Sequence, residues 1–124
     1  MSPVAVLVVD DHETFRRAAA AVVEAADGFV LAGAVGTGED SLTAVEALGP
    51  DLVLMDVNLP GMDGLEATRR LRASARPPVV ILLSTHDEDE FGAQARECGA
   101  FGYVAKSAFG TERLTAVWAL AAQA

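Results

Sequence analysis

The feature that most constrains this chain is a fivefold alternation of hydrophobic period. Short continuous apolar runs rich in β-branched residues take turns with stretches whose apolar residues recur every three or four positions. Val4 to Val9 is the first such run, and it stops at Asp10-Asp11. Phe15, Ala19, Val22 and Ala26 follow at helical spacing, closed by Asp27-Gly28. Phe29 to Val35 reads as a second strand, and Leu42, Val45 and Leu48 mark a helix ended by Gly49-Pro50. Leu52 to Met55 forms a third strand that ends at Asp56, then a turn-rich loop from Asn58 to Gly64 enters a helix carrying Leu65, Thr68 and Leu71. Val79 to Leu83 is the fourth strand, ended by Ser84. Its helix carries Phe91, Ala95 and Cys98, with Gly99 placed as the residue after it. Tyr103 to Ala105 is a short fifth strand ending at Lys106, and Thr111 is read as the cap of a last helix bearing Leu114, Val117, Trp118 and Ala121.

Runs apolar on both sides suit strands buried on two faces, as in a parallel sheet covered by helices. The expected fold is therefore α/β, a doubly wound parallel sheet of five strand–helix pairs. At 124 residues and 52% apolar content, one compact domain with one core is enough. No second domain or linker is read in residues 1–124.

In open parallel sheets, sites form beyond the carboxyl ends of the strands, where the strand order reverses. Four strands here end in polar groups: Asp10-Asp11, Asp56, Ser84 and Lys106. The fold would gather them around one crevice. Three carboxylates there are costly, because two unit charges about 4 Å apart repel by roughly 4 kcal/mol at an effective dielectric near 20. A hard cation held through oxygen offsets that, and Mg²⁺ typically takes one or two carboxylates and engages phosphate oxygens. A carboxylate can also be a nucleophile toward phosphorus. In phosphoryl transfer the protein mainly positions groups and neutralises charge. Asp56 is the best placed nucleophile, Asp10 and Asp11 the metal holders, and Ser84 and Lys106 the partners of the phosphoryl oxygens.

The formal net charge of −9, from 18 acidic and 9 basic side chains, disfavours nucleic acid and anionic membranes as direct partners. The start of the chain lacks the basic flank and cleavage pattern of a signal peptide, and its apolar run is too short to span a bilayer. A single Cys fits a reducing compartment. A cytoplasmic location is expected.

Four pieces in order now point to a family. They are Val9-Asp10-Asp11-His12, then Met55 to Gly64 (Met-Asp-Val-Asn-Leu-Pro-Gly-Met-Asp-Gly), then Leu83-Ser84-Thr85, and Gly99 to Lys106. From Val6 to about Ala121 the chain resembles the receiver domains of bacterial two-component response regulators, and its Asp-Asp-His and Leu-Ser-Thr-His stretches resemble the NarL/FixJ branch. The resemblance implies a flavodoxin-like (βα)5 fold with strand order 2-1-3-4-5. It implies phosphorylation of Asp56 by a partner sensor histidine kinase, and Mg²⁺ held by Asp10, Asp11, Asp56 and the main-chain carbonyl of Asn58. Ser84 and Lys106 would contact the phosphoryl group. Ser84 and Tyr103 would form the switch that remodels the surface of the fourth helix, fifth strand and fifth helix. Members of that branch usually carry a C-terminal helix-turn-helix, so transcription would be controlled through an output domain that this chain lacks.

Plainer roles stand beside these. Asp10 and Asp11 could cap the first helix; Tyr103 could be packing alone. His12 is read as a helix-start residue rather than a metal ligand, since Mg²⁺ prefers oxygen. His86 is divided between tuning the lifetime of the phosphorylated state and a bland surface role. Asp87 to Glu90 reads as first-turn charge on the fourth helix. Cys98 reads as a core thiol, and Trp118 as core with a homodimer edge as the alternative. Lys106 is followed by Ser107 where many receivers have proline, which leaves that peptide bond's geometry open. Three rival readings stand beside this one, among them a degenerate receiver that binds partners without phosphorylation, against which the site residues all look intact. A flavodoxin-type cofactor binder needs small and hydroxyl residues after the first strand, where Asp10-Asp11-His12-Glu13 stands. An aspartyl-phosphate phosphatase needs a second aspartate two residues after the first, where Asn58 stands.

Overall fold

A computed structural model describes residues 2–85 and 88–123, with the side chains of 88–92 excepted. His86 and Asp87 lie outside the described residues, as do the side chains of Glu88, Asp89, Glu90 and Phe91.

The elements run β1 (Val4–Val9), α1 (Glu13–Ala25), β2 (Phe29–Val35), α2 (Gly38–Leu48), β3 (Leu52–Asp56), α3 (Gly64–Arg72), β4 (Val79–Ser84), α4 (Glu88–Cys98), β5 (Gly102–Ala105) and α5 (Thr111–Gln123), with a 3₁₀ turn at Lys106–Ala108. The strands form one parallel sheet in the order β2-β1-β3-β4-β5. The expected α/β, flavodoxin-like (βα)5 arrangement is the one observed.

Strand alternation splits the core in two. Leu7, Val9, Val53, Met55 and Leu82 face α2, α3 and α4 together with Leu71, Ala95, Cys98 and Tyr103. Val6, Val8, Leu52, Leu54, Ile81 and Leu83 face α1 and α5 with Ala19, Val23 and Leu114. Successive side chains point to opposite faces, so apolar runs without polar interruption are what a sheet covered on both sides requires.

Local chemistry sets the helix ends. Thr37 Oγ1 accepts from Asp40 N at 2.9 Å, and Asp63 Oδ1 accepts from Glu66 N at 2.8 Å, so each caps its helix. Gly49 closes α2 at φ 59°, a left-handed conformation that favours glycine.

Some expectations shift by a position or two. Thr111 is the first residue of α5 rather than its cap, and Leu114 N donates to Gly110 O at 2.9 Å. Val23 rather than Val22 is the fully buried valine of α1, and Leu48 at the end of α2 is half exposed. On α3, Ala67, Thr68 and Leu71 are buried while Leu65 is only partly so. Cys98 is buried, and its thiol donates to Ala95 O. Trp118 packs partly buried against the α1/α5 side of the core. Peptide bonds among the described residues are trans, including the one after Lys106.

Candidate functional site

The carboxyl ends of β1, β3, β4 and β5 deliver the polar residues to one rim of the sheet. Val9 is in register with Met55, Asp56 with Leu83, and Ser84 with Ala105. Asp10, Asp56 and Lys106 therefore emerge at the same level. The structure brings them together.

Asp10 is 1% exposed and Asp56 2% exposed, and Lys106 follows β5, two strands beyond the β3 that carries Asp56. Its Nζ lies 2.7 Å from Asp10 Oδ2 and 3.5 Å from Asp56 Oδ2. Neither Oδ2 accepts an aligned hydrogen bond among the described residues, although both are buried. Among the described residues, both Oδ2 atoms face one shared ammonium. That leaves two buried carboxylates against a single cation, an arrangement short of positive charge.

The other carboxylate oxygens are better served. Asp10 Oδ1 accepts from His12 N at 2.8 Å, and Asp56 Oδ1 accepts from Asn58 N at 3.2 Å. Neither of the first two aspartates caps α1. His12 is the N-cap residue, and its side chain makes no capping hydrogen bond. Asp11 is more exposed and faces the His12 ring, whose Nδ1 stands 3.3 Å from Asp11 Oδ1. One ligand atom each from Asp10, Asp11, His12 and Asp56 falls within a 4.8 Å cluster.

Burial pushes the Asp56 carboxyl up to about 6, with the Asp10 carboxylate adding to the rise and Lys106 opposing it. A divalent cation seated among these oxygens would reverse that balance. The residues fit one: hard carboxylate oxygens, two of them buried without aligned hydrogen bonds, at a water-accessible rim. A surface cleft beside the site, lined in part by Asp11, Asn58, Pro60, Arg69 and Glu97, gives it an approach.

Ser84 is fully buried at the end of β4, one residue beyond the Asp56–Leu83 pairing. Asn58 is exposed in the loop after β3. Tyr103 is buried, in register with Leu82 and packed in the cluster that holds Ala95 and Cys98.

Three contacts at the site were not foreseen. The Lys106 ammonium sits 4.5 Å from the centroid of the Phe15 ring, which in turn packs on Phe109 with centroids 6.5 Å apart. Phe15 read as an ordinary apolar residue of a helix, and nothing in its spacing marked the cation. Arg16 Nη1 donates to the Asp10 carbonyl at 2.8 Å. Gly64 lies so close to β3 that a Cβ there would fall 2.0 Å from Asp56 O. Its amide donates to Val57 O at 3.0 Å, tying the start of α3 to the strand that carries Asp56. A glycine opening a helix is weak in helix propensity, and that was the available signal.

Comparison with known proteins agrees with this geometry. The family model described as response regulator receiver domain matches residues 6–118. The chain is 40% identical over 112 residues to the response regulator GacA of Pseudomonas viridiflava, covering 90% of this chain and 52% of that protein. It is 38% identical over 112 residues to the response regulator UvrY of Escherichia coli O157:H7, covering 90% and 51%. The chain thus spans about half the length of the curated relatives it matches. Among solved structures, the signal receiver domain of the putative response regulator NarL from Mycobacterium tuberculosis superposes with a TM-score of 0.89 at 33% identity, covering 98% of each chain. Strand order, the gathered aspartates and lysine, and the matched family model agree: the chain belongs to the response regulator receiver domain family.

Proposed function

We propose that this domain accepts a phosphoryl group on Asp56 from the phosphohistidine of a sensor histidine kinase, in a Mg²⁺-dependent reaction. The observation that carries this reading is the Lys106 ammonium held between two buried carboxylates, 2.7 Å from Asp10 and 3.5 Å from Asp56. Asp10, Asp11, Asp56 and the main-chain carbonyl of Asn58 would hold the ion. Bound there, Mg²⁺ supplies positive charge for a phosphoryl oxygen and keeps the carboxylates ionised.

The rest falls to the chain itself. An Asp56 carboxylate oxygen attacks phosphorus; the new P–O bond forms as the P–N bond to the donor imidazole breaks, and the imidazole nitrogen keeps the electron pair. Lys106 faces a second phosphoryl oxygen, and the Ser84 hydroxyl donates to a third. The Asn58 amide, already on Asp56 Oδ1, fixes the orientation of the carboxylate. The domain acts as a switch, turning over its own phosphorylation and dephosphorylation and no external substrate. Ser84 and Tyr103 couple the event to the α4-β5-α5 surface. The Tyr103 ring is buried in the core cluster beside α4, the position from which such coupling would act.

Because the chain spans about half of its curated relatives, the output is proposed to lie in a C-terminal DNA-binding domain of the full-length protein. Transcription would be regulated through that domain, with no direct nucleic-acid contact by the receiver. No helix of the described residues is long and apolar enough to cross a membrane, and a cytoplasmic site of action accords with a kinase partner there.

Intact mass before and after a small acyl or amido phosphodonor with Mg²⁺ tests the reading. One phosphoryl group is expected, labile to hydroxylamine and absent in Asp56→Asn. Modification at a serine or threonine would overturn it.

A further inference from the structure

Positive charge is unevenly placed in this acidic chain. Five of its nine basic side chains, Arg69, Arg70, Arg72, Arg76 and Arg96, fall in the last turns of α3 and α4 and in the turn after α3. Between parallel strands each helix runs back against the sheet, so these turns lie at the edge opposite Asp10 and Asp56. Packing joins the two helix ends. Gly99, just after α4, is so near Arg72 that a Cβ there would stand 3.0 Å from Arg72 Cγ. Arg72 Nη1 donates to Pro78 O at 2.9 Å, immediately before β4 begins. The five guanidiniums thus share one end of the molecule.

Local carboxylates do not balance them. Glu66 is shared by Arg70 at 2.9 Å and Arg69 at 3.3 Å, and Arg70 foremost holds its carboxyl below the usual range. Glu97 lines the cleft beside Arg69. Asp51, whose carbonyl accepts from Val79 N at the start of β4, has its Oδ2 engaged by Ala5 N at 2.9 Å. No acidic side chain occurs in the sequence between Glu66 and Asp87. Arg76 and Arg96 are exposed, and among the described residues they make no ion pair or side-chain hydrogen bond. A cation in a last turn answers the helix dipole. Yet α1, α2 and α5 have no basic residue there, and Arg76 lies beyond its helix. The dipole alone does not account for the cluster.

Planar guanidiniums match carboxylate and phosphate oxygens in pairs. The rest of the chain chooses between the two. Outside the cluster it is more acidic than its net charge of −9 implies, so a long polyanion such as a duplex would carry phosphates past the cluster into repulsion. A short segment confined to the cluster meets no such penalty. We propose that the arginine cluster at the ends of α3 and α4 is a docking surface for a short carboxylate-rich segment of a partner protein. The surface lies at the sheet edge opposite Asp56 and stands apart from the phosphoryl chemistry there.

Fluorescence anisotropy with a labelled oligoglutamate peptide tests this on the whole domain, with a short duplex DNA as the comparison probe. Peptide binding is expected at low salt and should weaken steeply toward roughly 0.15 M, where the screening length is about 8 Å. The triple variant Arg70→Gln, Arg76→Gln, Arg96→Gln is expected to weaken it about tenfold. Arg69 and Arg72 stay in place, since one lines the cleft near the phosphorylation site and the other packs on Gly99 and bonds Pro78 O. Arg76→Gln alone, in the exposed turn, is expected to weaken binding about twofold, and it carries the test if thermal melts show the triple variant unfolded. Three results overturn the proposal: no peptide binding at low salt, equal affinity in wild type and a folded variant, or duplex DNA bound as tightly as the peptide and weakened by the same substitutions.

Discussion

Lys106 is closer to Asp10 than to Asp56. Its ammonium stands 2.7 Å from Asp10 Oδ2 against 3.5 Å from the residue proposed to carry the phosphoryl group. In the metal-free chain the lysine therefore serves as the counter-ion of β1's aspartate. Removing one partner of a buried pair leaves an uncompensated charge, which costs about 3–5 kcal/mol. Lys106→Met is expected to destabilise the metal-free domain by an amount of that order at neutral pH. Mg²⁺ should recover more stability in the variant than in the wild type, because the ion replaces the missing charge. Urea denaturation with and without Mg²⁺ checks both statements.

Asp56 makes stability depend on pH in a direction opposite to most carboxylates. Its folded pKa is about 6 against an ordinary 3.8, chiefly because burial disfavours the charged form. The folded state holds this proton more tightly, so the contribution is fully present below 3.8 and is lost as pH rises through about 6. A shift of that size corresponds to about 3 kcal/mol. Asp56→Asn should therefore stabilise the metal-free domain at pH 7–8 by up to about that amount, and little at pH 4. The gain should shrink or reverse with saturating Mg²⁺, which rewards the ionised carboxylate. Thermal melts across pH, with and without the ion, read the sign directly.

Gly64→Ala tests the junction of β3 and α3. A Cβ at this residue would meet backbone, 2.0 Å from Asp56 O and 2.9 Å from Val57 Cα, and neither can swing aside. Overpacking of this kind typically costs about 1–3 kcal/mol, and backbone contact places this site at the upper end or beyond. The helix start must move away from the strand, so Mg²⁺ affinity is expected to fall with stability. Alanine at Gly28, which has nothing within 4 Å but φ 86°, should cost stability alone.

Phe15→Leu removes the aromatic face below the Lys106 ammonium while keeping an apolar residue. Cation–π attraction contributes about 0.5–2 kcal/mol depending on exposure. The expected result is a small loss of stability with a slower phosphorylation by a small phosphodonor. A Phe15→Tyr variant, which keeps the ring, should behave like wild type in the same rate measurement.

Much of this was legible in the sequence because the relevant signals are periodic or terminal. Val4 to Val9 and Leu52 to Met55 announce two-sided burial by being apolar without alternation, and both strands lie in the middle of the sheet. Once the strands are parallel, Asp10, Asp56, Ser84 and Lys106 must share a rim, which is how residues far apart in sequence meet. What escaped notice depends on distance rather than order. Nothing in the run Glu13-Thr14-Phe15 says that the ring will lie under an ammonium from residue 106, because the contact exists only when α1 and the turn after β5 are both in place. Gly64 was visible as part of a turn-rich stretch, yet its reason is a steric clash with a carbonyl eight residues earlier. Helix boundaries moved for a similar cause: Gly110 O, rather than Thr111, begins the hydrogen-bonding of α5.

The division of the interior into two half-cores has a mechanical corollary. Lys106 leans on Phe15, which belongs to the α1/α5 half, whereas the backbone of Asp56 is fastened through Gly64 to the α2/α3/α4 half. A repacking substitution on one side of the sheet thus disturbs the cation, and one on the other side disturbs the carboxylate. The acid and its counter-charge are suspended from separate walls, and each wall can drift in evolution with its own effect on the pair.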